Sequence, residues 1–527
     1  MTAKSIDADS LHRQLKGGGE IALIDLREQG AFGQRHILRA VNLPLSRLEL
    51  EYRRLIPRRD VPVVLCDAGE GLTDKAADIL CFAGWTDVSI LTGGVDAWEA
   101  AGHILFSGVN VPSKAFGEYV EAQFGTPHIS ARDLDAMQRR GDKLAILDSR
   151  PFREFHNMSI PGGVDAPGAE LVHRVRQAVP DEDTTIVVNC AGRTRSIIGA
   201  QSLINAGVPN RVVALENGTM GWMLAGLDCA RGASDVAPFP DGPADQWARA
   251  AAAKVADRFG VQRIDWDGLQ AWLSEGDRTT FQLDVRTKEE FEAGHIPGFR
   301  HAPGGQLVQA TDEYVGVQNA RIVLADDTEV RAIMTASWLI QMGWPDVAVL
   351  AGGIGKRGSE EGIPKDHVYE LDLMSVARIS AADAMAMTDA PMVNFSKSLA
   401  HRRGHPKGAQ FAIRARAMQD LAPILASRWI VFTADDPRMA VLAAQDLTRA
   451  GVHRVKVLDG GNAAWRAAGG EMEDGIGQPY SAEDDVFHKP YDLELDQAAM
   501  QRYLDWEVAL VPKVAQEGTL TWPTFDP

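Results

Sequence analysis

The strongest constraint on the fold of this chain is internal repetition, because three sequence landmarks recur four times in the same order. The first landmark is an apolar stretch ending in Asp-x-Arg, which reads LIDLR at Asp25, LDSR at Asp148, QLDVR at Asp284 and, altered, VNFSK at Asn394. The second reads VVLCDAGEG, VVNCAGRTRS, IVLADDTEV and IVFTADDPR, and the third LTGGVDAW, LENGTMGW, LAGGIGKR and LDGGNAAW. The constant order, with about 40 residues between the first two landmarks, indicates four copies of one structural unit.

We assign these copies and a C-terminal tail to five segments of the chain. They are 1–107 (unit 1), 128–230 (unit 2), 261–364 (unit 3), 376–471 (unit 4) and 472–527 (the tail). Segment 108–127 has the pattern of a linking helix, and the Pro- and Gly-rich stretch 232–246 separates the two halves. Within each unit, short apolar strands alternate with helical patterns. This alternation predicts an α/β fold with a mostly parallel sheet flanked by helices, which binds ligands at the carboxyl ends of its strands.

Composition excludes several classes of function. A net charge of −18 argues against a nucleic-acid or anionic-membrane surface, and no stretch of about eighteen apolar residues predicts a membrane span. The four cysteines, at positions 66, 81, 190 and 229, show neither a disulfide framework nor metal-ligand spacing. The sequence therefore predicts a cytoplasmic protein without a metal or other cofactor.

Unit 2 carries the stretch of greatest chemical interest, IVVNCAGRTRS at 186–196. A β-branched run leads into Cys190, and a Gly-containing turn then leads into a helical pattern. A thiol in this place would face loop N–H groups, the positive end of the helix, and the guanidinium groups of Arg193 and Arg195. Because all three favour an anion, we expect a lowered thiol pKa and a nucleophilic thiolate at Cys190.

The loop of unit 2 resembles the active-site loop of the rhodanese (thiosulfate sulfurtransferase) family. Four residues separate Cys190 from Arg195, whereas cysteine phosphatases place five before their arginine, and CAGRTRS stands between an upstream LDSR and a downstream LENGTMGW. The resemblance implies four tandem rhodanese-like domains, of which one has an intact loop. It also implies transfer of sulfane sulfur through a persulfide on Cys190.

Roles for the other loop residues follow from this resemblance. Two guanidinium groups suit a dianionic donor such as thiosulfate, and the acceptor would be cyanide or a thiol, including a thioredoxin-like or other protein. Asp148 and Arg150 are expected to form a supporting charge pair beneath the loop. The residues expected to bind the substrate are Ala191, Gly192, Arg193, Thr194, Arg195 and Ser196.

The other three units are expected to be inactive. Unit 1 keeps Cys66, but Asp67 and Glu70 beside it should raise the thiol pKa and repel an anion. In unit 3 the nucleophile is replaced by Ala325, and in unit 4 Thr433-Ala434 fill that position. The acidic pairs that follow both of these loops suit an exposed surface.

Other functions fit the same residues. A 3-mercaptopyruvate sulfurtransferase would use the same nucleophile, although members of that class usually carry Gly, Ser and Thr in the loop. A persulfide relay would use the three remaining units to hold a protein partner. Cysteine phosphatase or arsenate reductase chemistry is disfavoured by the short loop.

Glu154 stands where vertebrate-type two-domain rhodaneses have an anion-binding arginine. Cys81 and Cys229 are interpreted as packing or surface thiols.

Overall fold

The computed structural model describes residues 3–364, 366–492 and 496–525. Unit 1 begins with β1, and its central sheet is accompanied by a small antiparallel ribbon of β3 and β7. Its strands are β1 (Lys4–Ile6), β2 (Ala22–Asp25), β3 (His36–Ile37), β4 (Val41–Asn42), β5 (Val63–Cys66), β6 (Val88–Leu91) and β7 (Leu105–Phe106). Its helices are α1 (Ala8–Lys16), α2 (Gln29–Gln34), α3 (Leu48–Leu55), α4 (Leu72–Phe82) and α5 (Gly94–Ala100).

Helix α6 (Val111–Phe124) connects unit 1 to unit 2. The strands of unit 2 are β8 (His128–Ile129), β9 (Leu144–Asp148), β10 (Gly163–Asp165), β11 (Thr185–Asn189) and β12 (Val212–Leu215). Its helices are α7 (Ala131–Arg140), α8 (Phe152–Asn157), α9 (Glu170–Ala178), α10 (Thr194–Asn205) and α11 (Gly218–Leu224).

Helix α12 (Gly242–Phe259) leads into unit 3. The strands of unit 3 are β13 (Gln262–Ile264), β14 (Thr280–Asp284), β15 (Arg300–His301), β16 (Arg321–Ala325) and β17 (Asp346–Leu350). Its helices are α13 (Trp266–Glu275), α14 (Lys288–Ala293), α15 (Gly304–Gln309) and α16 (Val330–Gln341).

Unit 4 and the tail complete the chain. The strands of unit 4 are β18 (Arg378–Ile379), β19 (Met392–Asn394), β20 (His405–Pro406), β21 (Ala409–Phe411), β22 (Ile430–Thr433) and β23 (Val455–Leu458). Its helices are α17 (Ala381–Met385), α18 (Ser398–Arg403), α19 (Ala417–Asp420), α20 (Pro437–Arg449) and α21 (Gly461–Ala467). The tail begins with β24 (Met472–Glu473), which pairs with β20. It then forms α22 (Gln497–Val508) and α23 (Leu510–Glu517).

Each unit builds its five-stranded sheet in the same strand order. The orders are β1-β6-β5-β2-β4, β8-β12-β11-β9-β10, β13-β17-β16-β14-β15 and β18-β23-β22-β19-β21, and the paired strands are parallel. The strand of the second landmark is therefore central in every unit. The predicted α/β class, with mostly parallel sheets flanked by helices, is confirmed. No helix in the described ranges is long and apolar enough to cross a membrane.

The register of the strands corrects the predicted alignment of the second landmark by one residue. In unit 2, β9 and β11 place Asp148 beside Asn189, so that Cys190 is the next residue along the chain. In unit 1 the equivalent strands place Asp25 beside Cys66 itself. Cys66 therefore corresponds to Asn189 of unit 2, and the residue after it, Asp67, occupies the position of the nucleophile.

The same shift applies to units 3 and 4. Ladder partners there are Asp284 with Ala325 and Asn394 with Thr433, which puts the next residues, Asp326 and Ala434, at the nucleophile position. The predictions that Cys66 keeps this position and that Ala325 replaces the nucleophile are thus wrong by one residue. A hydrogen bond found in all four units supports this alignment. The carbonyl oxygen at the nucleophile position accepts a hydrogen bond from a backbone N–H that follows the strand of the third landmark. The four acceptors are Asp67, Cys190, Asp326 and Ala434, at 2.9–3.0 Å.

The units pack tightly on one another. Apolar side chains from units 1, 2 and 3, together with α6 and α12, form one continuous buried cluster. Buried ion pairs add to it: Arg414 of unit 4 binds Glu49 of unit 1 at 2.6 and 2.7 Å, and Arg331 of unit 3 binds Glu170 of unit 2 at 3.0 Å. A cavity at the junction of the units can therefore draw its walls from several of them.

Candidate active site

The loop of unit 2 begins where the central strand β11 ends. The carbonyl oxygens of Cys190 and Ala191 accept the amides of Thr219 and Met220, at 2.9 and 3.0 Å, which joins the loop to the first turn of α11. Gly218 makes this contact feasible, because a Cβ on it would lie 2.3 Å from the Cys190 carbonyl oxygen and its φ is +54°. The loop is thereby held at the edge of the sheet where α/β folds bind ligands.

A buried ion pair lies under the loop. Arg150 donates from Nε and Nη2 to the two carboxylate oxygens of Asp148, at 2.8 and 2.7 Å, and also donates to the Met158 carbonyl at 2.5 Å. The Asn189 side chain donates to the same carboxylate at 2.9 Å. The structure thus brings Asp148 and Arg150 together in a buried pair in which each charge is compensated by the other.

The thiol of Cys190 is enclosed rather than open. Only 2% of the residue is exposed, and its Sγ lies 3.6 Å from the hydroxyl of Ser196, which in turn donates to the Arg193 carbonyl at 2.8 Å. Burial raises the pKa of the Cys190 thiol, and the opposing effects of Arg195 and Ser196 do not outweigh it. Burial, which the sequence did not reveal, therefore opposes the expected lowering of the thiol pKa.

Arg193 is turned toward α6. Its Nε and Nη2 donate to the carboxylate of Glu118 at 2.7 and 2.8 Å, Nη2 also contacts Glu121, and Nη1 donates to Asn217 at 3.2 Å. These partners occupy the guanidinium group, so Arg193 fixes the loop to the linking helix. The sequence-based expectation that Arg193 neutralises a donor's charge does not fit this geometry.

Arg195 remains close to the thiol while paired to Glu154. Its Nη1 and Nη2 donate to the two carboxylate oxygens of Glu154 at 2.9 and 2.8 Å. Burial would raise the pKa of Glu154, but the charge and hydrogen bonds of Arg195, together with the charges of Lys489 and Arg150, bring that pKa to about 2. The charge of Arg195 also lowers the pKa of Cys190 against the effect of burial. Glu154, expected as a departure from an anion-binding arginine, is thus the partner that positions Arg195.

Cys190 lines a cavity of about 370 Å³. Its walls come from all four units and the tail, as Gln29, Cys190, Gln306, Lys397 and Lys489 illustrate. Sequence reasoning missed these distant residues, since no local motif marks them. One available signal was the linking helix, which carries ionisable side chains on a face that packs against α10. The wall residues missed also include Lys114, Tyr491, Tyr503 and Glu507.

The degenerate units show what the loop backbone can bind. At the nucleophile position of unit 1, the Asp67 carboxylate accepts the amides of Gly69 and Leu72 at 3.0 and 2.8 Å. In unit 3, Asp326 accepts the amide of Arg331 at 3.0 Å. Leu72 and Arg331 both stand five residues after the nucleophile position, as Arg195 does in unit 2. The loop geometry therefore suits a negative charge at the position of the Cys190 sulfur.

The acidic pairs after the other two loops do not behave alike. Asp326 is fully buried and bound by Arg331, whereas Asp435 is exposed. The expectation of an exposed acidic surface is wrong for Asp326, because the arginine that follows it reaches back into the loop. Among the described residues, no three His, Cys, Asp or Glu side chains lie close enough to hold a metal ion.

The remaining thiols lie away from this cavity. Cys66 is fully buried, and burial, followed by the charge of Asp25, raises the pKa of its thiol well above the usual value. Cys81 and Cys229 are half-buried, and burial raises the pKa of Cys229 to about 11.

Comparison with known proteins adds a family assignment. The model of the rhodanese-like domain matches residues 7–101, 130–225 and 265–356. A crystal structure of thiosulfate sulfurtransferase from Pseudomonas aeruginosa is 44% identical, with a TM-score of 0.94 over 99% of this chain and 100% of that one.

Two curated relatives match over shorter stretches. An HTH-type transcriptional regulator from Mycobacterium tuberculosis is 30% identical over 110 residues, which are 21% of this chain and 48% of the relative. The uncharacterized protein YqhL from Bacillus subtilis is 40% identical over 76 residues, 14% of this chain and 59% of that protein. The chain thus spans about half the length of these two relatives.

Proposed function

Since this chain belongs to the family of proteins with rhodanese-like domains, we propose that it is a thiosulfate sulfurtransferase whose single reactive thiol is Cys190. The observation that carries this assignment is the strand register. Among the four nucleophile positions, occupied by Asp67, Cys190, Asp326 and Ala434, only Cys190 is a thiol. Sulfur transfer through a persulfide requires a nucleophile of this kind.

The reaction would run in two steps. In the first, the Cys190 sulfur attacks the outer sulfur of thiosulfate, an S–S bond forms, and sulfite leaves with the electron pair of the broken S–S bond. In the second, cyanide or a thiolate attacks the outer sulfur of the persulfide and releases the Cys190 thiolate. Amides of the loop and the guanidinium of Arg195 would stabilise the negative charge in both steps. We assign the substrate-binding role to Ala191–Ser196, with Arg193 acting through the geometry of the loop.

Persulfide formation is the direct test. After incubation with thiosulfate, mass spectrometry should find a gain of one sulfur atom on the peptide that contains Cys190, and a reducing thiol should remove it. Peptides with Cys66, Cys81 and Cys229 serve as internal controls and should stay unchanged. A gain on the Cys66 peptide alone would contradict the assignment.

Arg195 should contribute more to catalysis than any other charged residue of the loop. Replacing it with glutamine removes the charge that opposes the effect of burial on Cys190, so the thiol pKa should rise further. We expect sulfite release from thiosulfate to fall by about 10²-fold, as for loss of one electrostatic contact to a developing anion. Steady-state kinetics measures the loss, and the exposed Arg153, replaced in the same way, is the matched control.

The enclosure of the thiol bears on the choice of acceptor. With 2% of Cys190 exposed in a cavity walled by five parts of the chain, a cyanide ion or a small thiol can approach more readily than a protein surface. This favours sulfur transfer to small molecules over the alternative of a relay to a thioredoxin-like partner. We place the reaction in the cytoplasm, where Cys190 stays reduced. Sulfite release compared with pyruvate release separates thiosulfate from 3-mercaptopyruvate as donor.

A further inference from the structure

A second cavity, of about 240 Å³, shares no lining residue with the cavity of Cys190. Its walls come from unit 1, unit 3, the start of α6 and the end of the tail. The two cavities are neighbours, since Asn110 lines the first, Asp312 lines the second, and the Asn110 side chain donates to the Asp312 carboxylate at 3.0 Å. The second cavity is large enough for a small organic molecule rather than a single water.

Arg39 gives this cavity a cation without a carboxylate partner. It is half-buried in the turn between β3 and β4, and its Nη1 donates to the Thr519 carbonyl of the tail at 2.9 Å. Within the described ranges, no carboxylate forms an ion pair with this guanidinium. Burial lowers the pKa of Arg39 to about 10, and the charge of Glu517 opposes this shift, so the group stays protonated at neutral pH. Its remaining N–H groups can bind an anion.

Gln318 of unit 3 supplies an acceptor beside this cation. Its side-chain N–H donates to the Arg39 carbonyl at 2.7 Å, which holds the turn in place. Gln318 also lines the cavity, is 6% exposed, and its Oε1 has no hydrogen-bond partner. Buried side-chain oxygens nearly always have a partner, so this one indicates an incomplete site. A ligand that brings an N–H or O–H group would complete it.

The charges that line the cavity favour an anion, although the chain as a whole carries a net charge of −18. Among the described lining residues the cations are Arg39 and the exposed Lys16, and the single carboxylate is that of Asp312. Burial raises the pKa of Asp312 to about 6, and the hydrogen bond from Asn110 opposes this shift. Two cations and one anion leave the lining side chains with a positive balance at neutral pH.

The rest of the wall is largely apolar and aromatic. Leu38, Val315 and Met342 are buried, and Trp344 and Trp522 are half-buried. The Trp522 ring also packs on the Tyr119 ring, with 4.9 Å between their centroids, which fixes its position. Indole rings offer flat apolar faces to an aromatic ligand. The cavity therefore combines an anion-binding end with a surface for a ring.

We propose that this cavity binds a small aromatic carboxylic acid that carries a hydrogen-bond donor next to its carboxylate. The carboxylate pairs with the guanidinium of Arg39, and the neighbouring donor binds the Oε1 of Gln318. The aromatic ring lies against Trp344 and Trp522. This site is separate from the cavity in which Cys190 lies, and the proposal does not depend on the reaction at Cys190.

The test is isothermal titration calorimetry of the full chain with three probes. They are 3-phenyllactate, 3-phenylpropane-1,2-diol, which lacks the carboxylate, and lactate, which lacks the ring. We expect 3-phenyllactate to bind at least about 10-fold more tightly than either of the others, because each loses one charge-assisted contact or one buried ring. Arg39→Gln should weaken the binding of 3-phenyllactate at least about 10-fold. The matched control Arg35→Gln, whose arginine pairs with Asp96 outside the cavity, should bind as the native protein does.

Several results would overturn the proposal. They are no binding of 3-phenyllactate, equally tight binding of the diol or of lactate, and native affinity in folded Arg39→Gln. Displacement of 3-phenyllactate by excess thiosulfate would place the probe in the cavity of Cys190 and would also overturn it. The comparison of the three probes uses native protein, so it decides the matter even if the variant does not fold. None of these results bears on persulfide formation at Cys190, which is measured separately.

Discussion

Replacing Cys190 with serine should lower sulfite release from thiosulfate by at least about 10³-fold, because the covalent route is lost when its nucleophile is removed. A serine hydroxyl has nearly the same size but cannot form a persulfide. The hydroxyl can still donate to Ser196, so the fold of the loop should persist. Sulfite release in the presence of cyanide measures the effect, and circular dichroism with thermal unfolding verifies that the variant is folded.

The matched control is Cys66→Ala. Cys66 is fully buried and pairs in the ladder with Asp25, one residue before the nucleophile position of unit 1. We expect native activity per folded molecule, together with a modest loss of stability from the smaller side chain. Full activity in Cys190→Ser, or loss of activity in folded Cys66→Ala, would contradict a single reactive thiol at Cys190.

The sequence was sufficient to predict the fold of the units, but it was not sufficient to align the units with one another. Three landmarks repeated four times were enough to predict four α/β units, because each landmark combines a buried strand with the turn that follows it. The cysteines, however, suggested that Cys66 and Cys190 were equivalent. Hydrogen bonding between strands decides equivalence, and it pairs Asp25 with Cys66 but Asp148 with Asn189. A shift of one residue leaves the apolar pattern of so short a strand almost unchanged, which is why the sequence alone did not reveal it.

The residues of the active-site loop were predicted from the sequence, whereas the residues that surround the loop in the structure were missed. Cys190 and the two arginines were recognisable because local spacing marks them. The directions of the guanidinium groups depend on Glu118 from the linking helix and Glu154 from α8. The burial of the thiol depends on the tail, whose helix α22 covers the loop. No local pattern in the sequence encodes such contacts, so the predicted open, positively charged loop became an enclosed and charge-balanced one.

Arg195 of unit 2 and Arg331 of unit 3 occupy equivalent positions but lie in different surroundings. Arg195 and Arg331 each follow the nucleophile position by five residues, and each binds a glutamate six residues after the landmark aspartate, Glu154 or Glu290. In unit 2 the arginine lies beside a thiol and a cavity. In unit 3 it is fully buried and binds the carboxylates of Asp327, Glu290 and Glu170 at 2.5, 2.8 and 3.0 Å. Loss of Arg331 should therefore affect the stability of the protein more than its catalytic activity.

Replacing Arg331 with leucine should lower the free energy of unfolding by about 3–5 kcal/mol, since removal of one partner leaves buried charges uncompensated. Asp326 and Glu170 are both almost fully buried, and Arg331 joins unit 3 to unit 2 through Glu170. Urea unfolding followed by tryptophan fluorescence measures the change in the first transition. Arg438→Leu, which breaks a partly exposed pair with Asp436 in unit 4, should cost no more than about 1 kcal/mol. Equal losses in the two variants would contradict the prediction, because they would mean that burial of the ion pairs of Arg331 does not determine their contribution to stability.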